Sequence, residues 1–194
     1  MMPTDTLSGL SAANVPNINL SRPLLSALEG LTQLGSASRY EDEIFGIIDH
    51  ILLFEDLGRA EISQLCARME CFCAKRGDVI MKENDDGDFL GIVLTGEVAV
   101  IKDNNSGEPK QLAVVGPGAS LGEMSLINGK PRFATCVAKE PTDIAVLTRD
   151  TIYDILVLHP SLGNKVLLIL LQITSQRLRE TSNRLLPFIG TAAV

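Results

Sequence analysis

Basic excess is the first thing this sequence lacks. Its 194 residues carry 24 Asp and Glu against 17 Lys and Arg, a formal net charge of −7. Neutralising nucleic-acid phosphates needs clustered Lys and Arg, so this balance argues against a nucleic-acid binder. Long apolar runs are also missing. The longest, Val166–Leu171, falls far short of the roughly 20 residues a membrane span needs. No Lys or Arg precedes Arg22, so there is no basic start of a secretory signal. The N-x-S sequences at Asn19 and Asn104 then carry no glycosylation meaning, and the expected compartment is the cytoplasm. Histidine is scarce, with only His50 and His159, and neither stands in a recognisable nucleophile–base motif. There is no G-x-S-x-G, and Gly129-Lys130 leads into Pro131 and not into the Ser or Thr of a P-loop. No catalytic residue is identified and the protein is not expected to be an enzyme. The four cysteines, Cys66, Cys71, Cys73 and Cys136, contain no C-x-x-C. Their C-x4-C-x-C run misses a ferredoxin-type spacing by one residue. They read as reduced, mostly buried thiols with no metal site; a redox or metal sensor is the minor alternative.

What is present suffices for one core. Apolar residues make up 45% of the chain and charged residues 21%, and the length fits one domain with about 40 residues to spare. We divide the chain into residues 1–38, a flexible arm and N-terminal helical extension; residues 39–186, one folded domain; and residues 187–194, a tail. Leucines at 24, 25, 28, 31 and 34 recur at helical spacing after Pro23, which predicts a helix that Gly35-Ser36 breaks. A second helix is predicted from about Tyr40 to Leu53 and a third from about Arg59 to Met69.

From Glu70 the texture changes to short apolar runs separated by Gly, Asp and Asn turns. The runs are 71–75, 79–83, 89–95, 98–103, 111–115, 132–139 and 144–149. They predict an antiparallel barrel or sandwich, so the fold class is mainly β with flanking helices. The Asp85-Asp86-Gly87-Asp88 cluster lacks the spaced oxygen ligands of a calcium loop and reads as a hairpin turn. Two helices close the chain, one over Thr151–Leu158 and a long one from Asn164 to about Arg184. The first half of the long helix is apolar on every side. A small barrel covers only one side, so a homodimer through residues 164–184 is expected.

The stretch from Gly118 to Thr135 carries the chemistry. It is glycine-rich and sets Glu123 and Arg132 nine residues apart. Glycines let backbone N–H groups approach a phosphate. Arginine offers a planar fork to one, and a carboxylate accepts from sugar hydroxyls. On the residues alone, a small anionic-ligand cradle and an ordinary loop with a Glu–Arg surface pair both stand.

The run Leu121-Gly122-Glu123-Met124-Ser125-Leu126-Ile127, followed by Pro131-Arg132-Phe133-Ala134-Thr135, resembles the phosphate-binding cassette of cyclic nucleotide-binding domains. The resemblance extends over about residues 45–184. It implies an eight-stranded antiparallel jelly-roll barrel with N-terminal helices and a long C-terminal helix. It also implies roles. Arg132 would pair with the cyclic phosphate, helped by backbone N–H groups of Ser125, Phe133 and Ala134. Glu123 would accept from the ribose 2′-hydroxyl beside the Gly122 backbone, and Leu112 and Leu121 would be apolar walls, with Met124 inside the cassette. Leu121 stands where the family usually has Phe, and Ser125 where it has Ala. The stretch from Leu171 to Leu178 is similar to the adenine-contacting helix of catabolite-activator-type regulators, so Thr174 and Ser175 would reach the base, one from each subunit. Leu170 replaces an arginine of that helix, and Phe133 replaces the hydroxyl residue common in cGMP receptors; both make cAMP the expected ligand and cGMP the less favoured one. Regulators of that type continue into a DNA-binding motif, whereas ten residues, Leu185–Val194, follow Arg184 here. The expectation is a cyclic nucleotide receptor without its own DNA-binding domain that acts on an unknown protein partner. The alternative is a degenerate fold kept as an interaction scaffold without nucleotide binding.

Overall fold

The computed structural model describes residues 28–104 and 106–189. Among these residues nine strands form two antiparallel sheets. They are β1 (Thr32–Ser36), β2 (Glu70–Ala74), β3 (Val79–Met81), β4 (Phe89–Val93), β5 (Val98–Asp103), β6 (Pro109–Val115), β7 (Ser120–Leu121), β8 (Thr135–Ala138) and β9 (Thr142–Thr148). The five-stranded sheet runs β1-β2-β9-β4-β7 and the four-stranded sheet β3-β8-β5-β6. Among the described residues the helices that flank them are α1 (Glu41–Gly46), α2 (Arg59–Cys66), α3 (Glu123–Asn128), α4 (Arg149–Leu158) and α5 (Pro160–Ile189).

The continuous apolar runs of β4 and β9 follow from the sheet's position. Phe89 and Val93 of β4, with Ile144 and Val146 of β9, face the second sheet and pack with Phe72, Ile80, Val98 and Ala138. Their alternate residues, Leu90, Ile92, Ala145 and Leu147, face the helices and pack with Ile62, Leu65, Ile155, Val166 and Ile169. Both faces of this sheet are therefore covered, and no face is left for polar alternation. Among the described residues no helix is long and apolar enough to cross a membrane.

The expected mainly β fold with flanking helices is the one found, as nine strands in two sheets, with the long C-terminal helix. Four details differ. The predicted helix over Leu24–Leu34 begins outside the described residues and does not continue. Thr32–Ser36 is instead a strand, bulged between Gln33 and Gly35, that covers the edge of β2. Pairing along a free edge outweighed the leucine spacing, and Leu28 and Leu34 enter opposite core layers. The helix predicted over Tyr40–Leu53 breaks at Gly46 into α1 and two short 3₁₀ turns, Ile48–His50 and Leu52–Phe54. Its isoleucines still reach the core, with Ile44 and Ile51 fully buried. The run 132–139 becomes a strand only at Thr135, which leaves residues 132–134 for the site. At the C-terminal side α4 ends at Leu158, and the long helix expected from Asn164 to about Arg184 runs over Pro160–Ile189, because Pro160 takes the first position of the helix, where its missing N–H costs nothing.

Candidate functional site

The site is built at the turn between β7 and β8. Gly122 sits in the left-handed region, with φ +82°, and starts α3 there. A side chain at this position would be strained, and its Cβ would fall 2.3 Å from Arg132 Nη1. The first turn of α3 begins with Glu123, Met124 and Ser125. Their N–H groups have no partner within the helix, because the first helical bond, from Leu126 N–H, goes to the Gly122 carbonyl. Gly129 ends the helix, also left-handed.

Arg132 is 4% exposed. The Asn84–Asp88 turn clamps its backbone: Arg132 N–H donates to the Asp85 carbonyl at 2.8 Å, and Asn84 N–H donates to the Arg132 carbonyl at 2.9 Å. Nη1 donates to the carbonyls of Phe89 at 2.8 Å and Gly122 at 3.1 Å. The guanidinium lies 4.3 Å from the centre of the Phe89 ring. Burial draws its pKa below the usual guanidinium value, against the opposing pull of Asp88 and Glu123. Nη2 is buried and has no hydrogen-bond partner. Gly87 makes room for this arginine, since a Cβ there would lie 2.7 Å from Arg132 Nε and from Ser125 Cβ. The acidic Asp85–Asp88 cluster is a turn but not the hairpin expected from sequence: β3 and β4 lie in different sheets, so the turn carries the chain from one sheet to the other and seats Arg132 on the way.

Glu123 is 1% exposed. One carboxylate oxygen pairs with the guanidinium of Arg177, which reaches in from α5 and also donates to the Ser120 carbonyl. The other, Oε2, is buried without a partner. Leaving a buried polar atom unpaired costs about 1–3 kcal/mol, and more for a charged group. Within the connection between β7 and β8 the fold therefore holds an unsatisfied cationic donor and an unsatisfied anionic acceptor.

The expected residues are distributed as follows. Leu121, Ser125 and Ala134 are buried; Leu112, Met124 and Phe133 are exposed apolar residues. Leu112, Leu121, Met124 and Phe133 line a cavity of about 460 Å³, roofed by Ile173 and Arg177 of α5. A smaller cavity of about 220 Å³ opens at Arg132, between β3 and the Asp85–Asp86 turn. Ser125 Oγ donates to the Pro131 carbonyl at 3.2 Å, closing the loop between them. Thr174 and Ser175 lie on α5 but do not line the larger cavity of their own chain. Thr174 Oγ1 lies within hydrogen-bond reach of the carbonyls of Leu170 and Leu171, and Ser175 is exposed.

Two arginines were missed by sequence reasoning. Arg177 is the ion-pair partner of Glu123 across 54 residues. Arg149, the first residue of α4, donates to the carbonyls of Gly87 at 2.9 Å, Ser125 at 2.7 Å and Leu126 at 3.0 Å. It fastens the end of α3 and the Gly87 turn to the helical layer. No local pattern announces either contact, since each partner lies far along the chain. The cysteines are all free thiols. Burial pushes Cys66 and Cys136 up to about 11 and Cys71 up to about 12, values of unreactive thiols. Among the described residues no group of three or more His, Cys, Asp or Glu could hold a metal ion.

A two-sheet antiparallel fold with a buried arginine and a buried glutamate on the connection between β7 and β8 has the form of a small-ligand module, with one buried cationic donor and one buried acceptor left unpaired. Comparison with known proteins makes the class specific. The family model for the cyclic nucleotide-binding domain matches residues 73–159. A cyclic nucleotide-binding domain of Methylobacillus flagellatus, known as a crystal structure, is 47% identical, with a TM-score of 0.75 over 84% of this chain and 91% of that one. The chain belongs to the cyclic nucleotide-binding domain family. It is also similar to the catabolite activator protein of Thermus thermophilus, with 29% identity and a TM-score of 0.63 over 69% of this chain and 61% of that one. The CRP-like cAMP-activated global transcriptional regulator of Mycobacterium tuberculosis is 24% identical over 72% of this chain and 60% of that protein. The chain thus spans less than two thirds of that regulator's length.

Proposed function

We propose that the protein is a regulatory receptor for a 3′,5′-cyclic nucleotide, cAMP in preference to cGMP, and not an enzyme. The observation that carries this reading is the pair of orphaned buried atoms, Arg132 Nη2 and Glu123 Oε2. A ligand with a phosphate at one end and a ribose hydroxyl at the other supplies what each lacks. Arg132 would fork the cyclic phosphate, with the N–H groups of Ser125, Phe133 and Ala134 completing the cradle. Glu123 Oε2 would accept from the 2′-hydroxyl beside the Gly122 backbone. Leu112, Leu121 and Met124 would enclose the sugar and base. Two features favour adenine. Phe133 brings no hydroxyl for a guanine, and Thr174, whose hydroxyl can donate within its own helix, remains an acceptor for an amino group. The relative in M. tuberculosis, described as cAMP-activated, supports the same choice.

Signalling would run through α5. It exposes Leu171, Leu178 and Leu185 at seven-residue intervals, the spacing of a two-helix seam, which supports a homodimer. Ser175 on the same exposed side would meet the ligand of the second subunit. Arg177 already ties α5 to Glu123, so a hydroxyl arriving at Oε2 would add a contact to a helix-linked carboxylate. Only such differential contacts shift a conformational equilibrium. The ligand-binding unit is read as residues 39–186 with β1 at its edge, acting in the cytoplasm on a protein partner. The Arg177–Glu123 pair also favours a second reading, in which the pair is permanent and the fold is an interaction scaffold. Calorimetric titration of nucleotide-stripped protein separates the two. The receptor reading predicts saturable cAMP binding, weaker cGMP binding, and a loss of roughly 2–5 kcal/mol in Arg132→Ala. No heat with either nucleotide up to millimolar concentration would leave the scaffold.

A further inference from the structure

Phe133 stands between two buried residues, Arg132 and Ala134, yet is itself 51% exposed. Its ring is not loose. Lys102 of β5 places Nζ 4.4 Å from the ring centre and donates to the Phe133 carbonyl at 2.8 Å. The same ammonium pairs with the Glu83 carboxylate, whose other oxygen accepts from Asp103 N–H at 3.0 Å. Glu83 N–H in turn donates to Thr135 Oγ1 at 3.0 Å, two residues beyond Phe133. A strut of three residues thus holds one aromatic ring at the wall of the 460 Å³ cavity. The other walls around it are aliphatic or thioether, from Leu112, Leu121 and Met124. The polar groups come from one side only, on α5, where Gln176 Nε2 donates to Glu180 Oε1 at 3.2 Å. An apolar slot with a fixed aromatic face and a polar edge suits a flat heteroaromatic ring, whose faces stack and whose rim hydrogen-bonds.

We propose that Phe133, held by Lys102 and Glu83, is the stacking platform for the base of the bound nucleotide and sets a preference for purines over pyrimidines. This rests on the cyclic nucleotide reading above and gives the ring of Phe133 a stacking role beyond the backbone contact and the missing hydroxyl already assigned to that residue. A bicyclic base covers more of the ring than a monocyclic one, so the platform discriminates by overlap and not by hydrogen bonding.

The test titrates wild type, Phe133→Ala, Phe133→Tyr and Lys102→Met with 3′,5′-cyclic AMP and 3′,5′-cyclic CMP. The platform predicts that wild type binds the purine more tightly. Phe133→Ala then loses cyclic AMP affinity by roughly 5- to 100-fold, the range of aromatic–base stacking, and loses less for cyclic CMP, so the preference collapses. Phe133→Tyr keeps it, and Lys102→Met lowers it partway. Unchanged cyclic AMP affinity in Phe133→Ala, or an equal loss for both nucleotides, would overturn the platform while leaving the receptor intact. Failure of wild type to bind either nucleotide would remove both.

Discussion

Arg132 and Glu123 each keep one buried polar atom unsatisfied, and the surrounding residues explain how the fold tolerates this. Arg132 is seated by two carbonyls, an aromatic ring and two glycines; Glu123 is half satisfied by Arg177. The seating is steric, which gives a prediction. Gly87→Ala should push its methyl into Arg132 and Ser125 and cost about 1–3 kcal/mol, read as a lowered urea midpoint, with weakened ligand binding. A second prediction concerns the ion pair. Arg177→Met leaves the Glu123 carboxylate buried without its cation, a change worth about 3–5 kcal/mol in fully buried pairs. Arg177 is itself partly exposed, so a loss of about 3 kcal/mol or less is expected in a denaturant melt. At this scale Glu123 and Arg132 were legible because the cassette is a contiguous motif. Arg149, Arg177 and the Lys102 strut were not, because each partner is supplied by a distant element and only packing brings it near.

The elements were legible where turns punctuate them. Seven of the nine strands were anticipated, since Gly, Asp and Asn clusters mark their ends. The two missed ones show why pattern is insufficient. β1 carries leucines at helical spacing and becomes a strand only because β2 offers an edge; β7 is two residues long and pairs with β4. The run 132–139 read as one strand, but its first residue, Arg132, is bonded to the Asn84–Asp88 turn instead, and the strand starts only at Thr135. In α5 the apolar pattern of the sequence reappears as an exposed leucine row. Leu171, Leu178 and Leu185 are exposed in the single chain, and burying them against a second copy is the proposed fate. The double substitution Leu171→Glu with Leu178→Glu should yield a monomer by light scattering where wild type is a dimer. A dimeric double variant would place the subunit contact elsewhere, and a monomeric wild type would overturn the proposed dimer.

Across the whole molecule, burial on both sides of the five-stranded sheet governs the solution behaviour of the thiols. The ordinary thiol value of 9.0 rises to about 11 for Cys66 and Cys136 and about 12 for Cys71. The folded state therefore keeps these protons to higher pH than the unfolded chain. Their contribution to stability is complete below about pH 9 and is lost as pH rises through about 11 to 12. Denaturation midpoints should fall over that window, and a variant with the three cysteines replaced by alanine or valine should fall less. Ligand binding should act on the same global equilibrium. At about 100 times its Kd, cAMP should stabilise wild type by about 2.7 kcal/mol and leave Arg132→Ala near its ligand-free midpoint.

The most direct test of the central claim, that a ligand hydroxyl and a ligand phosphate satisfy Glu123 Oε2 and Arg132 Nη2, is the affinity of wild type and Glu123→Gln for cAMP and for 2′-deoxy-cAMP. A hydrogen bond to a charged partner is worth about 1.5–3 kcal/mol, so wild type should prefer cAMP by roughly 10- to 100-fold. Glu123→Gln should bring the two ligands to within about threefold, less than 1 kcal/mol apart. Equal binding of both ligands by wild type, or no binding of either, would contradict the account.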